Sequence, residues 1–284
     1  MRAFAEFVMR SRSHAVGASV AASVLPLVHW IGAAVVALVV LRRGAAEGGF
    51  VLLWASLPLV GWYAINNDAM PLMVLGGTFC LGWVLRETLS WELTLAAAVV
   101  LSVLAGLTFQ VTSAEALALI VDWYFEAVDV AQDVTRDQAA QVLIGLFAMG
   151  HTVSMLVAIM LARWWQSTLY NPGGFQQEFH GLRLSPAMSA VIVALIVLGF
   201  VLDDPAFGRW LPLLTVPLVL SGIGFVHWFV GSRKLSTSWL VGFYIAFLLM
   251  VQIVYPLLAS IALMDSGLDL RKRIEQSNRP DDEV

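Results

Sequence analysis

Long apolar runs broken by short polar stretches constrain this chain more than any other feature of its sequence. Eight such runs, at 14–41, 50–65, 70–85, 91–109, 138–162, 187–202, 210–231 and 237–264, cover most of the 284 residues. Each run is continuous, whereas membrane strands alternate apolar and polar residues. The runs therefore read as helices, which satisfy their own backbone groups in lipid. Charged residues make up only 13% of the chain and hydrophobic ones 60%, against about 25% charge in a soluble domain. A soluble core of this size has no room for so much apolar surface. The expected fold is all-α: a polytopic transmembrane helical bundle of about eight apolar segments in one domain, 14–264. Its first partner is the lipid bilayer.

The flanks differ from this core. Residues 1–13 carry Arg2, Arg10 and Arg12 and place Phe4, Phe7 and Val8 on one helical face, the pattern of an interfacial helix with basic residues at the headgroups. The run that follows is long and lacks a clean Ala-x-Ala exit, so no cleavable signal peptide is expected. Residues 265–284 form a polar C-terminal tail containing Arg271-Lys272-Arg273.

Composition and motifs exclude several functions. With a single cysteine, Cys80, neither an internal disulfide nor a thiolate metal cluster can be built. The net charge is −4 without a block of like charges, so no nucleic-acid partner is expected. Nucleotide loops, the zinc-protease helix and the nucleophile elbow are all absent. The runs as delimited contain no aspartate for an intramembrane protease. The expectation is a protein that is not an enzyme, with no catalytic residue, no metal and no cofactor.

Basic residues in short loops mark the cytoplasmic side. Arg42 and Arg43, Arg86, Arg163 and Arg183, and Arg233 with Lys234 fall on one side of the six central runs. The acidic loop 110–137 falls on the other. In that loop Asp122, Glu126, Asp129 and Asp133 form one helical stripe, and Leu117, Ile120, Val121, Tyr124 and Val128 another. The helix is expected to lie along the outer surface with its acids in water. The terminal runs 14–41 and 237–264 have about 28 residues each, or about 42 Å, against a bilayer core of about 30 Å. Two readings stand: a tilted single crossing, or a fold-back at Pro26 and at Pro256 that leaves both termini cytoplasmic. The charge rule favours the second.

The expected cytoplasmic loop, 163–186, is one of two long polar interruptions. Trp164, Trp165 and Tyr170 sit where aromatic belts sit. Asn171-Pro172-Gly173-Gly174 reads as a turn, with proline setting φ at its first central position and glycine accepting positive φ at the next. Phe175, Phe179 and Leu182 then share a face, which predicts a short amphipathic helix. Ser185-Pro186 reads as an N-cap followed by proline at the first helical position. Glu178 and Arg183 are spaced to pair.

Arg163-Trp164-Trp165-Gln166, Tyr170-Asn171-Pro172-Gly173-Gly174-Phe175 and Leu182-Arg183-Leu184 together resemble the YybS-like family of bacterial membrane proteins. The similarity extends to Leu41-Arg42-Arg43-Gly44 and Asp269-Leu270-Arg271-Lys272-Arg273. It implies a multi-pass protein of the bacterial inner membrane. That family is in turn similar to the substrate-binding subunits of energy-coupling-factor vitamin transporters, which dock on a partner through small residues in an early helix. By that resemblance Gly17, Ala18, Ala21 and Ala22 would form a helix-packing interface.

His29, His151 and His227 lie in or near the runs, and intramembrane ionisable residues are functional candidates. His151 is mid-segment beside Thr152 and Ser154, and is expected to face the bundle interior, where its N–H avoids hydrocarbon. His151, Ser154, His227 and His29 are thus the candidate ligand-binding residues. Asn66, Asn67, Asp68, Gln110 and Gln252 are polar groups near run ends, either cavity-lining or caps. Two functions follow. One is a small-molecule binding or transport component without its own energy source, working with a protein partner. The other is a scaffold or regulator acting through Tyr170–Phe175 and Arg183. A polar-lined cavity near the outer leaflet would favour the first.

Overall fold

The computed structural model describes residues 1–25, 27–127 and 134–277. Regular structure among them is helical throughout: α1 (Arg2–Arg10), α2 (Arg12–Val24), α3 (His29–Arg43), α4 (Ala45–Asn66), α5 (Met70–Thr88), α6 (Trp91–Thr112), α7 (Ala114–Ala127), α8 (Arg136–Tyr170), α9 (Gly174–His180), α10 (Pro186–Leu202), α11 (Pro205–Gly208), α12 (Leu211–Ser232), α13 (Ser238–Leu249), α14 (Val251–Leu268) and α15 (Leu270–Ser277). Five stretches are long and apolar enough to cross a bilayer: α4, α6, α8, Pro205–Ser232 and α14. By length α10 and α13 fall short, as do the two halves of the 14–41 run. The chain divides into two units, one of Met1–Phe175 with Gly199–Leu213, the other of Gln176–Leu198 with Leu214 onward.

The first unit is built around α3. Every residue from Gly32 to Leu41 is buried, and α2, α4, α5 and α8 pack around it. Gly48 of α4 and Gly82 of α5 both face Val40. A side chain at Gly48 would overlap the Val40 side chain, so the backbones approach as closely as small residues permit. The C-terminal carbonyls of α3 are capped by neighbours: Arg86 Nη1 donates to Leu41 O at 2.7 Å and Gln166 Nε2 donates to the same oxygen at 3.2 Å. The negative end of the helix dipole thus meets a guanidinium.

The 14–41 run folds back as an α2–α3 hairpin. Ser19 Oγ of α2 donates to Gly32 O of α3 at 3.1 Å. The open end is tied where Arg43 Nη2 donates to Met9 O at 2.6 Å and where Arg12 pairs with Glu47. Pro26, the expected pivot, lies outside the described residues. Ser11, in extended conformation, ends α1 and caps α2 by accepting from His14 N. In α1, Ala5 and Val8 are the fully buried residues and Phe4 stacks at 5.3 Å on Trp165, while Phe7 stays exposed.

The 110–137 loop holds α7. Its Leu117 and Val121 pack with Phe109, Ala139 and Ile144. Asp122 pairs with Arg136, and Tyr124 is exposed. Asp129, Asp133 and Val128 lie outside the described residues. A capping box, Thr135 with Gln138, starts α8.

Two boundaries differ from expectation. The polar stretch does not begin as a loop at Arg163, because α8 continues to Tyr170; nothing before Pro172 breaks it. The loop proper starts at Asn171. Likewise residues 265–268 belong to α14 and 270–277 to α15, so the tail is largely helical.

In the second unit the 237–264 run also folds back, at Met250 (φ −125°, ψ 38°) and not at Pro256, which sits inside α14. Along α13, Tyr244 reaches His227 of α12. Along α14, Tyr255 bonds Thr215 at 2.7 Å, Leu258 lies on Gly222, and Arg271 beyond it lies by Phe225 and Trp228. Numbering rises together in α12 and α14, so α13 and α14 run in opposite senses.

Candidate functional site

The hollow of the first unit follows from the length of its central helix. With 15 residues, α3 is about 22 Å long, short of the roughly 30 Å of a bilayer core, while its neighbours α4 and α8 continue past it. Its first residue, His29, borders open space. A cleft of about 470 Å³ opens there, lined by His29, Met70, Val74, Leu143, Leu146, Phe147, Gly150, His151 and Ser154. Three of the four candidate ligand-binding residues are thereby brought together from two helices far apart in sequence.

His151 faces the interior and is 2% exposed. Its Nδ1 has no hydrogen-bond partner. The ring nonetheless lies within polar reach of the Met73 backbone. Ser154 lines the cleft, but its hydroxyl donates to Gly150 O at 2.9 Å, one turn back. Next to His151, the buried Thr152 donates to Ser102 Oγ at 2.6 Å and binds α6 to α8. The lining is largely apolar, so it is not the polar-lined cavity that would have favoured the binding function outright. The polar groups near the run ends act as caps: Asn67 Nδ2 donates to Thr112 O, Asp68 Oδ1 accepts from Met70 N, and Gln110 Oε1 accepts from Arg209.

His227 belongs to the second unit. Its Nε2 and the Tyr244 hydroxyl are 2.8 Å apart, and its ring meets Phe179 edge-on at 5.1 Å. His180 stands 6.3 Å from it, ring to ring. Burial lowers His180 below the usual imidazole value, and the charge of Arg271 lowers it further.

The turn residues serve local structure. Asn171 O accepts from Gly174 N at 2.9 Å and Gly173 has φ +85°, as the turn requires. Ser167 Oγ donates to Asn171 O and accepts from Phe175 N, and the Phe175 ring lies 6.2 Å from Trp91. Tyr170 carries the Arg42 guanidinium 4.0 Å above its ring. Pro172 and Gly173 are exposed. Ser185 Oγ caps α10 by accepting from Met188 N. Arg183 pairs with Asp269 at 2.9 Å and donates to Ser266 O. Gly17 and Ala21 point outward, while Ala18 and Ala22 are half-buried. The packing inside the hairpin instead uses Ser19, Ala22 and Ser23 against Gly32.

One buried pair escaped the sequence reading. The expectation of aspartate-free spans is overturned, because α14 runs past residue 264 and includes Asp265, 1% exposed. Its carboxylate meets Arg271 Nε at 2.9 Å, a contact of charges without the alignment of a hydrogen bond. Arg271 also donates to His180 O and to Leu182 O, the latter at 2.7 Å. It thereby fastens the segment after α9 to the C-terminal helix. Clustering of one basic residue six positions after an acid was the only signal available. Among the described residues no group of three or more His, Cys, Asp or Glu is placed to hold a metal ion.

Compared with protein-family models, with curated proteins and with solved structures, the chain matches none.

Proposed function

We propose that the chain is a multi-pass protein of a bacterial inner membrane that binds a small molecule in the hollow beyond α3, as a binding or transport component whose energy comes from a partner protein. The observation that supports this reading is the convergence of His29, His151 and Ser154 on one cleft. Its volume falls in the range of about 300–1,000 Å³ usual for ligand pockets. A few polar groups in an apolar wall are the normal make-up of such a site. The lack of a nucleotide motif in the sequence leaves the energy to a partner. In this reading the arginine-bearing ends of the helices are cytoplasmic, and the eight apolar segments comprise crossing helices and two fold-back hairpins with both termini inside. The scaffold reading is weaker, because Ser167, Trp91 and Arg42 already engage most of the Tyr170–Phe175 turn within the chain.

Native mass spectrometry of the gently solubilised protein tests the reading. The parent should retain an added mass that His151→Ala loses, at equal yield of folded protein. If His151→Ala and His151→Leu keep the same added mass as the parent, the histidine is packing and the cleft is not the site.

A further inference from the structure

A second cleft, of about 350 Å³, borders the end of α2 and the start of α3. Ser23, His29, Pro58, Trp62, Ile65 and Pro71 are among its walls. His29 therefore lines both clefts, and the adjacent residues Met70 and Pro71 at the start of α5 line one each. Each cleft is lined by one polar residue more than nine-tenths buried with a side-chain atom that lacks a partner: Ser23, 4% exposed, whose Oγ lies over Gly32 at the edge of the smaller, and His151, 2% exposed, whose Nδ1 is bare in the larger. Buried polar atoms are normally paired. Two orphans on residues that line clefts sharing one histidine point to a shared ligand that supplies what they lack.

Resting on the small-molecule reading above, we infer that the two clefts are arms of one site for a neutral, lipid-soluble amphiphile with a carbonyl or hydroxyl head. The head sits at His29 between Ser23 Oγ and His151 Nδ1, and apolar parts of the molecule fill the arms. Neutrality follows from the walls. No Asp, Glu, Lys or Arg lines either cleft, so a charged head would lose its hydration without meeting a counter-charge. A sugar or other many-hydroxyl molecule would leave most of its groups unpaired for the same reason. A hydroxyl or carbonyl suits both orphans, since a serine hydroxyl and either histidine tautomer can donate or accept. The rim is apolar: Val24, Ile65 and Leu146 are more than half exposed. Entry is thus from the hydrocarbon and not from water.

Two photoactivatable probes in nanodiscs holding the full chain test this: a long-chain alcohol and the matching carboxylate, each with a diazirine in its tail. The alcohol should crosslink saturably to the start of α5 and to α8 around His151. Unlabelled alcohol should compete. Ser23→Ala and His151→Leu should each weaken its half-saturation about fivefold, the size expected from one lost hydrogen bond. The carboxylate should label those positions at one-tenth of that level or less. Equal labelling by the carboxylate overturns the neutral class, and an unaffected Ser23→Ala overturns the two-armed site. A charged mass retained through His151 in the native spectrum sinks this inference but leaves the small-molecule reading standing. Labelling of the clefts no stronger than that of the unburied helix α13, with no retained mass, sinks both.

Discussion

A polar side chain buried in this chain is either partnered by another or left bare, and the two cases call for different consequences. Thr152 has Ser102, and Asp265 has Arg271. Ser23 Oγ and His151 Nδ1 have none. The Asp265–Arg271 pair is 1% and 11% exposed at its side chains, so removing one partner strands a charge in an apolar setting. Asp265→Asn or Arg271→Gln alone should cost about 3–5 kcal/mol, whereas the paired replacement Asp265→Leu with Arg271→Met should cost less than either. Thermal unfolding of the four proteins in one detergent compares them; a paired replacement that loses more than either single variant would show that the two charges are not stranded by each other's removal. At this scale the sequence was readable only where chemistry is local. Ser185 as a cap and Gly173 at positive φ depend on a few neighbouring residues, and both appear as read. The pairing of Arg183 with Asp269 depends on a return of the chain 86 positions later, which no local spacing records.

Among the elements, α3 decides the most. Its ten-residue core from Gly32 to Leu41 has no exposed side, and its length sets the hollow at His29. It cannot leave its C-terminal carbonyls bare within the bundle, so Arg86 and Gln166 reach them. Arg86→Ala should lower stability by about 1–3 kcal/mol, the scale of a hydrogen bond to a charged group, and Arg86→Lys should restore part of it. Chemical unfolding with α3 tracked by protease protection would measure both; unchanged protection in Arg86→Ala would show the cap to be dispensable. The run at 14–41 was legible as apolar and helical, but not as two helices of different fate. The α2 half is partly exposed and the α3 half is central. In water an all-apolar helix announces its burial; in lipid, an apolar surface suits bilayer and protein interior alike.

For the whole molecule the prediction concerns sides. With native Cys80 replaced by serine, a cysteine at Gln176 should be shielded from an impermeant thiol reagent outside intact cells, and one at Glu115 should react. Labelling at 176 and protection at 115 would invert the assignment, and basic residues in short loops would have misled. What the sequence by itself determined is the all-helical character, most helix boundaries, the turn at 171–174 and the cap at Ser185, because these rest on hydropathy and local backbone chemistry. Only the tertiary structure decided that the end runs fold back between α2 and α3 and at Met250, that five stretches among the described residues are both long and apolar enough to span, that α3 sits at the centre of its unit, and that His29 and His151 line one cleft. Those outcomes depend on which apolar surface packs against which. Lipid and protein offer nearly the same apolar environment, so no periodic pattern along the chain records the choice.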